Sequence, residues 1–173
     1  GDPLPLLDEA RAAFAAALAA APEQGLGYQN VGEALLRRVV VRCARGEDPG
    51  DAVQETVATI QKAVERLGQH APPWANLGTI HALLASSALD QGRDPTASLA
   101  AASAALGEAL KRNPDNAQAH RYLGETLGVR ARWEAGRGAY RAADFEGAAE
   151  AYQKAMRAAP AHHDYAVAFA HFC

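Results

Sequence analysis

"QGRDPTAS", residues 91–98, interrupts a chain that otherwise reads as almost continuous helix. Gly92 stops one helix by taking a left-handed conformation at little cost. Asp94 then offers a carboxylate to the free amides of the next helix. Pro95 fits that helix's first turn, where no backbone hydrogen bond is lost. The stretch is predicted to be a tight corner between antiparallel helices. The same punctuation stands at "RGEDPG", residues 45–50, and its Asp-Pro pair occurs once more at Asp2-Pro3.

The interval is 46 residues, and it holds along the whole chain without insertion or deletion. A shift of that length superposes Pro3, Pro49 and Pro95, and likewise Gly46, Gly92 and Gly138. Gly32, Gly78 and Gly124 share one register; Ala17, Ala63, Ala109 and Ala155 share another. Pro22, Gly68, Pro114 and Pro160 fall together at a helix end, and Leu7, Val53, Leu99 and Phe145 keep a large apolar group at one place. Such agreement among different kinds of punctuation marks an internal repeat.

Each unit holds two helices. One is predicted from about Pro49 to Leu67, where Val53, Val57, Ile60, Val64 and Leu67 form a single apolar stripe. The next runs from about Pro73 to Asp90, with Trp74, Leu77, His81 and Leu84 on one face. Gly78 and Gly124 fall mid-helix, where glycine costs about 1 kcal/mol against alanine. They are expected opposite Ala63 and Ala109, where a small residue permits close helix approach. The division that follows is 1–24, the second helix of a preceding unit; 25–70, 71–116 and 117–162, full units; and 163–173, the start of a further first helix.

The pattern resembles the tetratricopeptide repeat (TPR) family, whose ~34-residue unit carries an aromatic, a Leu-Gly pair and a Tyr, then Ala, Phe, Ala and a closing Pro. The third unit matches with His120, Leu123-Gly124 and Leu127, then Ala148, Tyr152, Ala155 and Pro160. The second offers Trp74, Leu77-Gly78 and His81, then Ala102, Leu106, Ala109 and Pro114. The first offers Tyr28, Val31-Gly32 and Leu35, then Thr56, Ile60, Ala63 and Gly68; residues 1–24 carry only Ala10, Phe14, Ala17 and Pro22. About 12 extra residues per unit lengthen both helices, a spacing similar to repeats in large bacterial regulatory proteins, notably downstream of serine/threonine kinase domains. The resemblance implies an all-α fold of about eight helices, stacked as antiparallel pairs in a right-handed superhelical solenoid. The first helices would line its concave face.

Composition narrows the partners. With 173 residues, the chain can bury a core without metal or disulfide. A net charge of −3 argues against nucleic acid or an anionic membrane as the main partner. No apolar run approaches the ~18 residues of a membrane span. Cys43 and Cys173 read as reduced thiols, which fits a cytoplasmic setting. Gly1 in place of an initiator methionine is what an excised fragment would show.

No catalytic chemistry is expected. "GLGYQNVG", residues 25–32, follows a helix and lacks dinucleotide-binding spacing, so it reads as a loop between helices. His162, His163, Asp164, His171 and Cys173 gather near the C-terminus. His163 and His171 lie about 12 Å apart on a helix, too far to share one ion. No metal site and no cofactor are expected. His81 and His120 occupy aromatic packing positions and are expected to be core histidines with a satisfied nitrogen.

Function is expected in the groove, with a protein or peptide as ligand. By family analogy the ligand-facing positions are Leu26, Gln29, Glu33, Leu36 and Arg37 in the first unit. Ala75, Thr79, Ala82 and Leu83 follow in the second; Gln118, Arg121, Glu125, Gly128 and Val129 in the third; Asp164 lies beyond. Arg37 and Arg121 suit an acidic side chain or terminal carboxylate. The plainer reading pairs them with Glu33 and Glu125 across one helical turn. The Lys and Asn set of the chaperone-tail-binding TPR clamp is not reproduced. Tyr165, Phe169 and Phe172 surround the last segment. They suggest either a continuing parent chain or a homodimer through the C-terminal edge.

Overall fold

The structure, a computed structural model, describes residues 1–47 and 52–172, with backbone alone at 171 and 172. The Asp48-Pro49 corner, Cys173 and the side chains of His171 and Phe172 fall outside those limits. Among the described residues the chain forms eight helices and no strand. They are α1 (Leu4–Ala20), α2 (Gly25–Ala44), α3 (Ala52–Leu67), α4 (Ala71–Asp90), α5 (Thr96–Arg112), α6 (Ala117–Gly136), α7 (Ala142–Ala158) and α8 (His163–Phe172).

The corners form as their residues require. Gly46, Gly92 and Gly138 have φ of 71°, 66° and 81°, and no other described residue has positive φ. Each closes its helix with a paired set of amides. Gly92 N–H donates to the Leu89 carbonyl at 2.9 Å and Arg93 N–H to Ala88 at 2.7 Å. Gly46 with Glu47, and Gly138 with Ala139, repeat that geometry. Asp94 Oδ1 then accepts the Thr96 amide at 2.8 Å, and Asp2 Oδ1 accepts that of Leu4 at 3.0 Å. The Thr96 contact holds the Asp94 carboxyl below the usual carboxylate range.

Every helix packs on the next in the chain. Beyond that, α2, α4, α6 and α8 pack on one another in order, and only the even-numbered helices do so among the described residues. These four make a continuous inner layer, and the odd-numbered helices make an outer one. The result is a helical solenoid.

The two layers meet through one repeated contact. A Cβ on Gly78 would lie 2.6 Å from Leu106 Cδ2 and 3.1 Å from the Leu106 backbone nitrogen. On Gly32 it would meet Ile60 Cγ1 at 2.9 Å, and on Gly124 the Tyr152 ring at 2.8 Å. The glycines therefore make room for these large side chains. Ile60, Leu106 and Tyr152 are all buried in consequence.

A second repeated device ties consecutive units. Trp74 Nε1 donates to the Gly68 carbonyl at 2.9 Å, the Arg112 Nε–H donates to the same oxygen, and Arg112 covers the Trp74 ring at 5.0 Å. Arg66 lies over Tyr28 at 5.0 Å, one repeat earlier. One repeat later His120 Nε2 takes the indole's place and donates to Pro114 O at 2.7 Å. His120 thus has the satisfied nitrogen expected of it, although its buried Nδ1 has no partner. His81 is half-buried, and burial lowers its pKa.

Candidate functional site

The inner layer encloses a cavity of about 430 Å³. From α2 it takes Glu33, Leu36, Arg37 and Val40; from α4, Asn76 and Thr79; from α6, Gln118, Arg121 and Tyr122. Leu7 of α1 and Asp164 and Tyr165 of α8 complete it. These residues, far apart in the chain, meet because the even-numbered helices stack side by side.

Its floor is a connected polar network. The Thr79 hydroxyl donates to Ala75 O at 2.9 Å, one turn back on α4. The Gln118 amide reaches across from α6 and donates to Thr79 Oγ1 and to Asn76 Oδ1, each at 3.1 Å. Thr79 and Asn76 are 1% and 5% exposed, so these bonds satisfy groups that would otherwise be buried at a cost.

The two arginines differ. Arg37 donates to Glu33 Oε1 through Nε at 3.1 Å and through a terminal nitrogen at 2.8 Å, so the plainer reading holds for that pair. Arg121 has the same spacing to Glu125 yet forms no ion pair with it. Its guanidinium instead lies over the Tyr122 ring at 4.3 Å, with a buried Nε that has no hydrogen-bond partner. Glu125 lies between Arg121 and Arg132 in an adjoining cavity of about 360 Å³ that also touches Tyr152. Burial raises the Glu125 pKa, and Asp90 adds to this against the pull of Arg121 and Arg132. Burial likewise pushes Tyr152 up to about 12.

The structure therefore gathers Glu33, Leu36, Arg37, Thr79, Gln118, Arg121 and Asp164 in one cavity and places other expected positions elsewhere. Val129 is fully buried against Ala85 and Leu99, so it does not face a ligand. Ala75 and Ala82 belong to the core with Leu106 and Ala102, and Gly128 is buried. Leu36 is shared, packing on Ile60 and Ile80 while bordering the cavity. Leu83 is half-buried along a third cavity, Gln29 lies outside the first, and Leu26 is 61% exposed. Asn76 was missed in the sequence, although its register, shared with Asn30 and Tyr122, was the available signal.

Tyr165 and Phe169 both make ring contacts within the chain. Tyr165 stacks on His162 at 5.3 Å and faces the cavity, while Phe169 packs on Tyr152 at 5.9 Å. α8 lies on α6 and α7, and Tyr165 and Phe169 are half-buried there. Val167 stays 54% exposed. Among the described residues no three His, Cys, Asp or Glu side chains converge as metal ligands, and no helix is long and apolar enough to cross a membrane.

The crystal structure of a thermophilic TPR protein from Thermus thermophilus superposes with a TM-score of 0.52 at 19% identity, over 96% of this chain and 90% of that one. The fold is TPR-like. No protein-family model and no curated protein matches the sequence. In this TPR-like fold the cavity occupies the inner face, formed by the even-numbered helices.

Proposed function

We propose that the protein is a non-enzymatic scaffold whose inner groove holds an extended segment of a partner protein. The observation that carries this reading is the cavity floor. Gln118 borders the cavity with its amide nitrogen anchored on Asn76 and Thr79 and its amide oxygen accepting no bond among the described residues, and Arg121 beside it forms no ion pair among them. A ligand carboxylate would supply the missing partner in a partly desolvated setting, where such contacts are strong. The three 46-residue units with their flanking half-units supply that groove, and their resemblance to repeats of bacterial regulatory proteins suggests a module of a larger cytoplasmic regulator.

Selection of a random dodecapeptide display library on the wild type, with counter-selection on Arg121→Glu, tests the reading. Enriched peptides should carry a carboxylate and bind Arg121→Glu at least tenfold more weakly, a loss of about 1.4 kcal/mol. Arg37→Glu should matter less, since Glu33 already holds Arg37. No enrichment, or equal affinity for both proteins, would remove the groove from the function.

A further inference from the structure

The inner cavity has two walls of different chemistry. On one, Leu7 of α1 and Leu36, Val40 and Val41 of α2 present aliphatic carbon. The charges beside them, Glu33 and Arg37, neutralise each other at 2.8 Å. On the other wall, α4 and α6 present hydroxyl, amide and guanidinium groups through Thr79, Gln118 and Arg121. Arg121 brings the unmet need, since its buried Nε has no hydrogen-bond partner and its charge faces a ring instead of a carboxylate.

A ligand suited to one wall alone leaves the other unsatisfied. A bare carboxylate leaves Leu7 and Val40 against water, because both are only half-buried. A bare aliphatic group takes water from Arg121 and returns no acceptor. One segment carrying both groups serves both walls, and charge complementarity assigns its carboxylate to the α6 side. Asp164 of α8 borders the far end of the cavity, where its like charge disfavours that carboxylate.

The spacing follows from the stacking. α2 and α6 both pack on α4, from its two sides, and not on each other among the described residues. Their axes therefore stand two interhelical distances apart, roughly 16–20 Å. An extended chain advances about 3.3 Å per residue and covers that span in about five residues.

We propose that the groove selects a segment with an aliphatic side chain against the α1–α2 wall and a carboxylate at Arg121, about five residues apart. This selectivity rests on the peptide reading above, to which it adds the aliphatic anchor and the spacing.

The test is an NMR titration read at the Arg121 Nε–H signal and at the methyl signals of Leu7 and Val40. The probes are acetylated, amidated octapeptides of glycine and serine, with leucine second and aspartate seventh, and the same pair in reverse order. The tighter of the two is compared with versions carrying alanine for leucine, asparagine for aspartate, or the two residues side by side. Each change should weaken binding about fivefold or more. Leu7→Ala and Val40→Thr should remove the dependence on leucine and keep that on aspartate. Arg121→Gln should do the opposite. Undiminished binding with alanine for leucine or with the adjacent pair, or a leucine dependence untouched by both wall variants, would overturn the inference. An aspartate dependence lost in Arg121→Gln would still leave the peptide reading standing. No response to any of the peptides would overturn both.

Discussion

Two glycines in neighbouring helices should answer the same substitution with opposite signs. Gly78→Ala drives a methyl against Leu106, including its backbone nitrogen, which cannot step aside as a side-chain tip could. Overpacking of that kind costs about 1–3 kcal/mol and outweighs the gain in helix propensity. Gly107 lies mid-α5, and a methyl added there would find nothing within 4 Å, so Gly107→Ala should stabilise by about 1 kcal/mol. Urea unfolding of both variants measures this, and a stabilised Gly78→Ala would disprove the close contact. Individual side chains were the least legible part of the sequence. Arg37 and Arg121 share one spacing to a glutamate, but only the first pairs with it. The Tyr122 ring takes the second, a choice that depends on which way α6 is turned. Val129 was likewise misplaced because α5 covers it through Leu99.

At the level of elements, the Gly68 carbonyl joins the end of α3, the start of α4 and the end of α5. A double-mutant cycle with Trp74→Leu and Arg112→Leu should show coupling of about 0.5–1 kcal/mol, the range of a ring–guanidinium contact. Additive losses would mean that each residue acts on the carbonyl alone. This junction was half visible in advance. The repeat aligned Tyr28, Trp74 and His120 as one position, while the cations Arg66 and Arg112 drew no notice because charged residues near a helix end are common. The third junction shows how the position tolerates change: Ala158 supplies no cation there, and His120 still holds Pro114 by hydrogen bonding. The glycine stops at Gly46, Gly92 and Gly138 were legible, since a positive φ admits few residues besides glycine, whereas residues 25–32, read as a loop, open α2.

Across the molecule, burial is uneven. α1 has no fully buried residue, whereas α4 has ten and α6 seven. Amide hydrogen exchange should therefore be fastest in α1 and slowest in α4 to α6, as expected for a stack stabilised between neighbours. Uniform protection would show that the array opens only as a whole. The arrangement was legible from the 46-residue interval, but the cavity was not, since its walls come from helices that only stacking brings together. The same neighbour-only packing has a mechanical meaning. Pulled from its ends, the array bears load in series, like the coils of a spring, and extends first by changing the tilt between inner helices. Each 46-residue unit that gives way releases roughly 150 Å of contour length. A segment lying across α2, α4 and α6 would brace those helices against stretching, and tension on the array would in turn loosen its hold.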